Sequence, residues 1–411
     1  MKEQIVSFCN ERSLLNRYQS GFRPGHSTIT ALLKITDDIS KDLDRKFVSI
    51  LTLLDFSKAF DTVNFKLLCQ KLRNLFHFSE SAIKLVESYL TGRSQCVFAN
   101  GAMSSFLPVT QGVPQGSVLG PLLFSLFIND ISSSILFSNY HIYADDVQIY
   151  LGGSEENIVS LVSQINTDLT SISDWSTRNG LCLNSQKTQA MAVFRNKPRI
   201  LPPVKIGDTI IPYSTKVKNL GVIMNCNLTW GDQISSVVSG VNGALSRLWC
   251  TADFTPIETR RKLVLALLLP KFLYCDILYS QSSVGNKDRL NKCYNSCARY
   301  AYGIRLGESI SEHAKNITGN TLNQMYGYRI CSFFHRLISQ NKPDYLYDKL
   351  RFGHSQRTKI LIPPRHVHTD RGSSLFVGGA TMWNSLPSEV RSTRGTLAFK
   401  EFYYKHTTPH Q

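Results

Sequence analysis

Hydrophobic residues occur along the chain in two different spacings, which together predict a mixture of strands and helices. Residues 47–55 form a continuous run of leucine and β-branched residues that ends on Asp55, a pattern typical of a buried strand. Apolar positions in residues 154–179 fall instead on one helix face, with two glutamates in the first turn and Gly180 after the last. The first 225 residues are therefore expected to alternate helices with a mostly antiparallel sheet, in an α+β fold.

The remaining elements of this part follow from the same two spacings. Helical periodicity predicts helices over residues 64–76, 80–90 and 117–131. Strands are expected over residues 95–106, as a pair that turns at 100–101, and over residues 189–194, 204–211 and 219–224. Residues 135–150 alternate between polar and apolar side chains, which predicts a hairpin with Asp145 and Asp146 at its tip.

Beyond residue 230 the pattern is mainly helical, as in residues 260–269 and 289–302. A chain of 411 residues corresponds to two or three domains at about 150 residues each. Changes in pattern place soft boundaries near residues 225 and 305, which divide the chain into the parts 1–225, 226–305 and 306–411.

The composition of the chain indicates where in the cell the protein is expected. The longest apolar runs, residues 118–128 and 263–269, are much shorter than the roughly 20 residues that cross a bilayer, so no membrane span is expected. The ten cysteines are scattered through a chain that is long enough to fold without disulfide bonds. They predict reduced thiols and an intracellular protein of the nucleus or the cytoplasm.

Charge is distributed unevenly along the chain. Lys and Arg number 46 against 30 Asp and Glu, for a formal charge of +16. The first 200 residues hold 19 basic and 17 acidic side chains, whereas the remainder holds 27 and 13. Residues 94–177 contain no Lys or Arg at all. The pattern to explain is thus a centre without cations that precedes a basic second half.

Asp55 and the Asp145–Asp146 pair are candidates for one site, because neighbouring strands of one sheet would bring them together. Close carboxylates repel each other unless hard cations neutralise them, and oxygen ligands at an open sheet edge suit Mg²⁺. Two such ions about 3.5–4 Å apart support phosphoryl transfer. An isolated Asp pair is, however, more typical of an ordinary turn.

The pair is not isolated, since several motifs surround it in a fixed order. They are Gln19 to Thr28, Asp55 to Asp61, Gln111 to Pro121, Tyr143 to Asp146, Leu183 to Thr188, Asn219 to Val222 and Trp383 to Pro387. In this order the sequence resembles the reverse transcriptase of non-LTR (LINE-like) retrotransposons of the jockey or CR1 type. The resemblance implies an RNA-directed DNA polymerase with a right-hand fold of partial fingers, a palm with an antiparallel sheet, a helical thumb and a basic C-terminal region.

The resemblance also implies a metal site in the palm. It makes Asp55 and Asp145 the ligands of two Mg²⁺ ions, with Mn²⁺ as the alternative ion. Asp146 would support them, and Phe56 would lend its backbone carbonyl. Lys187 would lie near the leaving pyrophosphate, where it could donate a proton.

Further roles implied by the resemblance concern the nucleotide and the nucleic acid. Arg23 would hold the triphosphate, Gln115 and Gly116 would line the base-pair pocket, and Phe60 would exclude a 2′-hydroxyl, so that dNTPs are chosen. Roles in nucleic-acid binding fall on Leu220 and Gly221 as the primer grip, on Arg260, Arg261 and Lys262, and on the basic clusters 287–292 and 351–371. Each such cluster is also compatible with an ordinary solvated helix face.

The partners expected from the resemblance are an RNA template, a DNA primer and dNTPs, with an element-RNA ribonucleoprotein as a further assembly and no membrane. Compared with that family, the chain begins within the fingers and is expected to be N-terminally truncated. Two functions therefore remain open: a reverse transcriptase, or a catalytically inactive remnant that binds RNA or DNA. A two-metal nuclease is disfavoured, because hydrolysis has no use for Arg23, Phe60 or Gln115.

Overall fold

The computed structural model describes residues 1–305, 307–353, 359–367 and 374–407. The chain folds as two compact units. The first comprises residues 1–31 and 46–215, and the second comprises residues 32–45 and 216–411. The division at residues 215 and 216 is a property of the structure, and the three-part division of the chain predicted above stays a prediction.

Helices and short strands alternate in the first unit. The α-helices up to residue 215 are α1 (Lys2–Glu11), α2 (Thr28–Asp44), α3 (Phe65–Asn74), α4 (Glu80–Leu90), α5 (Gly120–Phe127) and α6 (Ile158–Arg178). The strands are β1 (Val48–Leu54), β2 (Phe56–Ser57), β3 (Ser94–Gln95), β4 (Phe98–Ala99), β5 (Ala102–Met103), β6 (Leu107–Pro108), β7 (Asn139–Tyr143), β8 (Asp146–Gly153), β9 (Cys182–Leu183), β10 (Gln189–Val193), β11 (Val204–Ile206) and β12 (Thr209–Ile211). Residues 32–45, which include most of α2, group with the second unit.

A four-stranded antiparallel sheet in the order β10-β1-β8-β7 forms the centre of the first unit. Its middle strand β1 is buried along almost its whole length, as its continuous apolar run predicts. Helix α6 contributes apolar side chains to the same core, including Ile165, Leu169 and Ile172. The α+β class and the antiparallel sheet expected from the sequence are therefore confirmed.

Three predicted elements differ from the structure in their bounds. The helix predicted over residues 117–131 is α5, which is followed by a 3-10 helix at Asn129–Ser134. Lys71 of α3 donates from Nζ to the carbonyl of Phe127 at 2.8 Å, which stabilises the early end of α5. The strand predicted over residues 204–211 is a hairpin of two strands, β11 and β12, with Gly207 at φ +57° in the turn.

The third difference lies in the second unit, where the strand predicted over residues 219–224 is interrupted by a turn. Leu220 and Gly221 both have positive φ, +43° and +80°, as the tightest hairpin turns require. The turn joins β13 (Lys216–Asn219) to β14 (Val222–Asn225). A leucine rarely adopts such a φ, so the residue pattern contained no signal for the turn.

The rest of the second unit is helical, as expected beyond residue 230. Its α-helices are α7 (Gly231–Trp249), α8 (Ile257–Leu263), α9 (Leu269–Leu273), α10 (Asp276–Tyr279), α11 (Val284–Tyr302), α12 (Ser311–Asn316), α13 (Leu322–Gln340), α14 (Asp344–Tyr347), α15 (Ala380–Asn384), α16 (Ser388–Ser392) and α17 (Thr396–Thr407). Two π-helical turns, Val264–Leu268 and Leu375–Gly379, precede α9 and α15. Within the described residues, none of the helices is both long and apolar enough to cross a bilayer.

A buried ion pair joins two helices of the second unit. Asp276 in α10 is fully buried, and Arg329 in α13 donates to its carboxylate from Nε at 2.6 Å and to the carbonyl of Leu273 at 2.9 Å. Burial raises the pKa of Asp276, and the charge and hydrogen bond of Arg329 oppose that rise. The pair therefore fixes α10 against α13 at a site where an unpaired carboxylate would be costly.

We expect Asp168→Ala to destabilise the first unit. Asp168 lies fully buried in α6, and its carboxylate accepts the backbone N–H groups of Leu136 at 2.8 Å and Ser138 at 2.7 Å, just before β7. Leaving these donors without an acceptor should lower the free energy of unfolding by about 1–3 kcal/mol, measured by urea denaturation. Asp174→Ala, on an exposed position of the same helix, is the control and should change it little.

We expect His335 to make the second unit acid-sensitive. Burial lowers the pKa of His335, whose ring stacks on Phe399 at 4.3 Å and bonds through Nε2 to the carbonyl of Thr393. An unfolded histidine takes up its proton near pH 6.5, above the folded pKa, so the free energy of unfolding should fall as pH drops below about 6.5.

His335→Phe should flatten that fall, as measured by denaturation over a series of pH values. The same substitution at the exposed His406 should leave a curve parallel to that of the wild type. Parallel curves for both variants would show that another group causes the acid sensitivity.

Candidate active site

The sheet of the first unit brings Asp55 and the tip of the β7–β8 hairpin together. The last register pair between β1 and β8 is Leu54 with Val147. In an antiparallel pair the next position places Asp55 opposite Asp146. Asp145 occupies the two-residue turn beside it, because Tyr143 pairs with Asp146 across β7 and β8. The structure thus places the three predicted carboxylates at one end of one sheet.

The hairpin tip is held by Gln19. Ala144 has a φ of +58°, which is uncommon for a residue with a Cβ, so its conformation needs support. The side-chain oxygen of Gln19 accepts the N–H of Ala144 at 3.2 Å and that of Gly21 at 2.8 Å. Residues 18–20 also pair with β7, since Ser20 donates to the carbonyl of Ile142 at 2.9 Å. One amide oxygen therefore joins the segment before α2 to the turn that carries Asp145.

Gly21 allows this junction to form. A Cβ at residue 21 would lie 2.4 Å from the backbone nitrogen of Ala144, a distance that backbone atoms cannot accommodate. Beside it, the hydroxyl of Ser20 and Nε2 of His141 form a buried hydrogen bond of 2.9 Å. Arg23, two residues later, donates from Nη1 to the carbonyl of Asn16 at 2.9 Å. The predicted triphosphate ligand is consequently carried by a segment that is fixed to the hairpin.

Asn184 and Thr188 organise the chain on the other side of Asp55. The N–H of Asn184 donates to the carbonyl of Asp55 at 2.8 Å, and its side-chain amide donates to Ser57 at 3.2 Å. The hydroxyl of Thr188 donates to the carbonyl of Asn184 at 2.8 Å. Lys187 lies in this turn with an exposed side chain, and its N–H donates to the Asn184 carboxamide at 3.1 Å. The turn therefore presents Lys187 next to the strand end that carries Asp55.

Phe60 lies in a 3-10 turn, Ala59–Asp61, that follows β2. Its half-buried ring stacks on Phe124 of α5 at 4.1 Å and meets the edge of Phe22 at 6.2 Å. Phe56, the predicted carbonyl ligand, is buried in β2, which pairs with β9. The aromatic ring of Phe60 is thus braced by packing from two sides before any ligand contacts it.

The loop of residues 111–116 lies against this 3-10 turn, and Gln115 of the loop contacts the turn. The side-chain amide of Gln115 donates to the carboxylate of Asp61 at 2.7 Å. Gly112 has a φ of +88°, and a Cβ there would lie 2.7 Å from the carbonyl oxygen of Asp61. Gly116 is exposed with a φ of +78°. The loop and residues 93–95 and 108–110 line a cleft of about 780 Å³.

Burial and, after it, mutual repulsion disfavour negative charge on the carboxylate group. Burial, and after it the charge of Asp55, raises the pKa of Asp145. Although the Asp146 side chain reaches solvent, desolvation by surrounding protein and then the charges of Asp145 and Asp55 raise its pKa to about 6. Both shifts mean that negative charge is disfavoured here, as expected where like charges share a site. A cation would relieve this repulsion.

Carboxylate oxygens are ligands that fit Mg²⁺ in chemical type. Over the described stretches of the chain, the structure contains no group of three or more His, Cys, Asp or Glu side chains arranged to hold a metal ion. Mg²⁺ is commonly held by one or two carboxylates, with substrate phosphates and water completing its shell. The carboxylates at the sheet end therefore fit a Mg²⁺ site in which the protein supplies only part of the coordination shell and substrate phosphates and water supply the rest.

The other predicted nucleic-acid residues lie in the second unit. The carbonyl of Leu220 accepts the hydroxyl of Tyr274 at 2.7 Å, and Gly221 leaves room for the same ring. Arg260 donates to the carbonyl of Thr255 at 2.8 Å, and Arg261 to that of Ile317 at 3.3 Å. Both guanidinium groups thus bond to the backbone of their own unit, while the Lys262 side chain is exposed.

Sequence reasoning did not assign roles to the residues that hold the site together. Gln19, Gly21 and Asn184 lie inside motifs that the sequence had already singled out, but each meets backbone atoms far away in the chain: Gln19 and Asn184 through hydrogen bonds, and Gly21 through close approach to Ala144. A usable signal was present only for Gly21, because a glycine is the residue that allows a close backbone approach.

Comparison with known proteins agrees with this geometry. The family described as Reverse transcriptase (RNA-dependent DNA polymerase) matches residues 1–224. The chain is 27% identical over 73% of its length to the probable RNA-directed DNA polymerase from transposon X-element of Drosophila melanogaster, covering 33% of that protein. It is 26% identical over 88% of its length to the corresponding protein from transposon BS of the same species, covering 39% of it.

A third relative is the RNA-directed DNA polymerase from mobile element jockey of Drosophila funebris, which is 27% identical over 67% of the chain, with 30% of that protein covered. The chain spans about a third of the length of these curated relatives. A solved telomerase from Candida tropicalis aligns with the whole chain and 56% of its own, with a TM-score of 0.43 and 11% identity. Since the family matches more than half of the chain, and its motifs surround Asp55 and Asp145, this protein belongs to the reverse transcriptase family.

Proposed function

We propose that the chain is an RNA-directed DNA polymerase that adds dNTPs to a DNA primer on an RNA template. The observation that carries this proposal is the meeting of Asp55, Asp145 and Asp146 at one sheet end, within the part of the chain that matches the reverse transcriptase family. The relatives named above are RNA-directed DNA polymerases of mobile elements, which supports the same reaction and the same partners.

Asp55 and Asp145 are the proposed ligands of two Mg²⁺ ions, with Asp146 and the Phe56 carbonyl beside them. When bound, such ions supply charge stabilisation for an attacking and a leaving oxygen in phosphoryl transfer. The protein's part is to hold these carboxylates close together, although burial, and after it the charge of the neighbouring aspartates, raises the pKa of Asp145 and Asp146. The sheet register does this, because Asp55 follows the last paired residue of β1 and Asp146 begins the strand β8 that pairs with it.

The residues around the carboxylates would position the nucleotide. Arg23 offers a planar guanidinium to phosphate oxygens from a segment fixed by Gln19. Phe60 presents a braced ring that would contact the sugar, and Gln115, which lines the cleft, would form the base-pair pocket with Gly116. Lys187 would donate a proton to the leaving pyrophosphate. These roles come from the family motifs, and the packing described above is compatible with each of them.

In this proposal the parts of the chain correspond to those of a right-hand polymerase. Residues 1–225 form partial fingers and a palm, residues 226–305 form a helical thumb, and residues 306–411 form a basic C-terminal region. Leu220 and Gly221 would act as the primer grip, and the 260–262 and 287–292 clusters would contact the RNA–DNA hybrid through phosphates.

The excess of basic residues beyond position 200 favours a second candidate, nucleic-acid binding without catalysis. This function needs none of the carboxylates at the sheet end. It predicts RNA binding without nucleotide incorporation, and the experiment below separates it from the polymerase.

Primer extension on a primed RNA template is the direct test of the proposed reaction. We expect Mg²⁺-dependent incorporation of dNTPs by the purified chain. Asp145→Asn removes a charge of the proposed metal site and keeps the size of the side chain. Losing roughly 4 kcal/mol of transition-state stabilisation would lower the rate about a thousandfold.

Asp208→Asn, on an exposed turn between β11 and β12, is the matched control and should retain activity. Incorporation by the Asp145→Asn protein at the wild-type rate would contradict the metal site. Folded wild-type protein that binds primed template but incorporates nothing would favour the second candidate.

Phe60→Val should relax the choice of sugar in the same assay. Removing the ring opens space where a 2′-hydroxyl would otherwise collide with it, so incorporation of NTPs relative to dNTPs should rise about tenfold or more, the effect of roughly 1.4 kcal/mol of discrimination. Phe65→Val, which also removes a half-buried ring from the first unit, should leave the ratio unchanged. Equal ratios in wild type and Phe60→Val would contradict a gate at this residue.

A further inference from the structure

The second unit contains a cavity of about 770 Å³ whose lining includes Arg351 and Arg365 of the basic cluster 351–371. It lies between the last turns of α2 and two segments of the C-terminal part, residues 348–351 and 362–365. Its volume is typical of sites that bind ligands of nucleotide size. Five basic side chains line it: Lys41, Arg45, Lys349, Arg351 and Arg365. One carboxylate, that of Asp348, lines it as well.

The lysines of this basic cavity are held in place before any ligand arrives. Lys349 donates to Asp37 at 2.6 Å and also contacts Asp38, and Lys41 lies 2.9 Å from Asp37. Lys34 adds a contact to Asp38 at 3.1 Å. The network pairs three lysines with two aspartates, for a formal charge of +1. Since these side chains are already ordered, a ligand would not have to fix them on binding.

The arginines differ from the lysines in their setting. Arg45, Arg351 and Arg365 are exposed at the rim of the cavity. Guanidinium groups match the geometry of phosphate oxygens and can donate two parallel hydrogen bonds to them. The cavity therefore combines ordered lysines with exposed guanidinium groups, and its five basic side chains outnumber its one carboxylate, as a site for a polyanion requires.

One wall of the cavity is apolar and stiff. It consists of Ile362, Pro363 and Pro364. This wall is anchored at its start, because the N–H of Ile362 donates to the carbonyl of Arg351 at 2.7 Å. A ligand that fits both surfaces has phosphates on one side and flat apolar groups on the other. Nucleotide units of a single strand have this character, whereas paired bases in a duplex are turned inward.

From these observations we propose that the basic cavity binds the sugar–phosphate backbone of a single-stranded polynucleotide. The phosphates would contact Arg45, Arg351, Lys41 and Lys349. The bases would lie against Pro363 and Pro364. The site lies wholly within the second unit, and it does not depend on the proposed polymerase reaction. Of the basic cluster 351–371 predicted from the sequence, residues 354–358 and 368–373 lie outside the described residues, and the proposal does not involve them.

The test is a binding titration of the full chain with a fluorescently labelled uridine oligomer, followed by anisotropy at several salt concentrations. Arg45→Ala combined with Arg351→Ala should weaken binding about tenfold or more. The slope of log affinity against log salt should also become shallower by about 0.7 for each phosphate that the variant no longer binds. The matched control combines Arg336→Ala with Lys400→Ala, two exposed basic residues of α13 and α17 that do not line the cavity.

Equal losses of affinity in the two double variants, or no loss in either, would overturn the proposal, because the cavity would then have no special part in binding. A thymidine oligomer and inorganic tripolyphosphate serve as competitors. Displacement of the labelled strand by the thymidine oligomer at concentrations where tripolyphosphate has no effect supports a site for a strand. Equal potency of tripolyphosphate would overturn it in favour of a site for free phosphates.

Crosslinking of a 4-thiouridine oligomer gives a second measurement that needs no variant. Peptides containing residues 348–351 or 362–365 should carry the crosslink, and their absence from the crosslinked set would contradict the proposal. Because both readouts measure binding, they can succeed whether or not the chain extends a primer. A negative primer-extension result would therefore leave this inference standing, and the reverse also holds.

Discussion

Repulsion among three carboxylates is the constraint around which the first unit is organised. Asp55, Asp145 and Asp146 repel one another, and burial together with this repulsion raises the pKa values of Asp145 and Asp146. Their positions are imposed by a sheet whose middle strand is buried along its length. Core packing thus provides the free energy that keeps the charges close, and the site depends on strand register more than on any bond between its own side chains.

The sequence could predict the parts of this arrangement that rest on local pattern. The apolar run before Asp55 and the alternation on either side of Asp145 depend on neighbouring residues alone, so β1 and the β7–β8 hairpin followed from them. Even the approach of Asp55 to Asp146 could be expected, because strands that end on polar residues bring those residues to a common edge.

The sequence pattern could not predict contacts that one side chain or backbone group makes with residues distant in the chain. The early end of α5 depends on Lys71, which comes from a helix more than fifty residues earlier. The turn at Leu220 requires a positive φ from a residue that rarely adopts it. The role of Gln19 depends on two N–H groups, one of which lies 125 residues away. In each case the decisive partner is distant in the chain or the conformation is rare for the residue, and no periodicity reports it.

The contact between Gly21 and Ala144 has a mechanical consequence. Because the backbone nitrogen of Ala144 occupies the place of a side chain at Gly21, the segment before α2 and the hairpin turn are in direct contact. The positions of Arg23 and Asp145 are therefore coupled. A conformational change in either segment is therefore expected to be transmitted to the other through this contact.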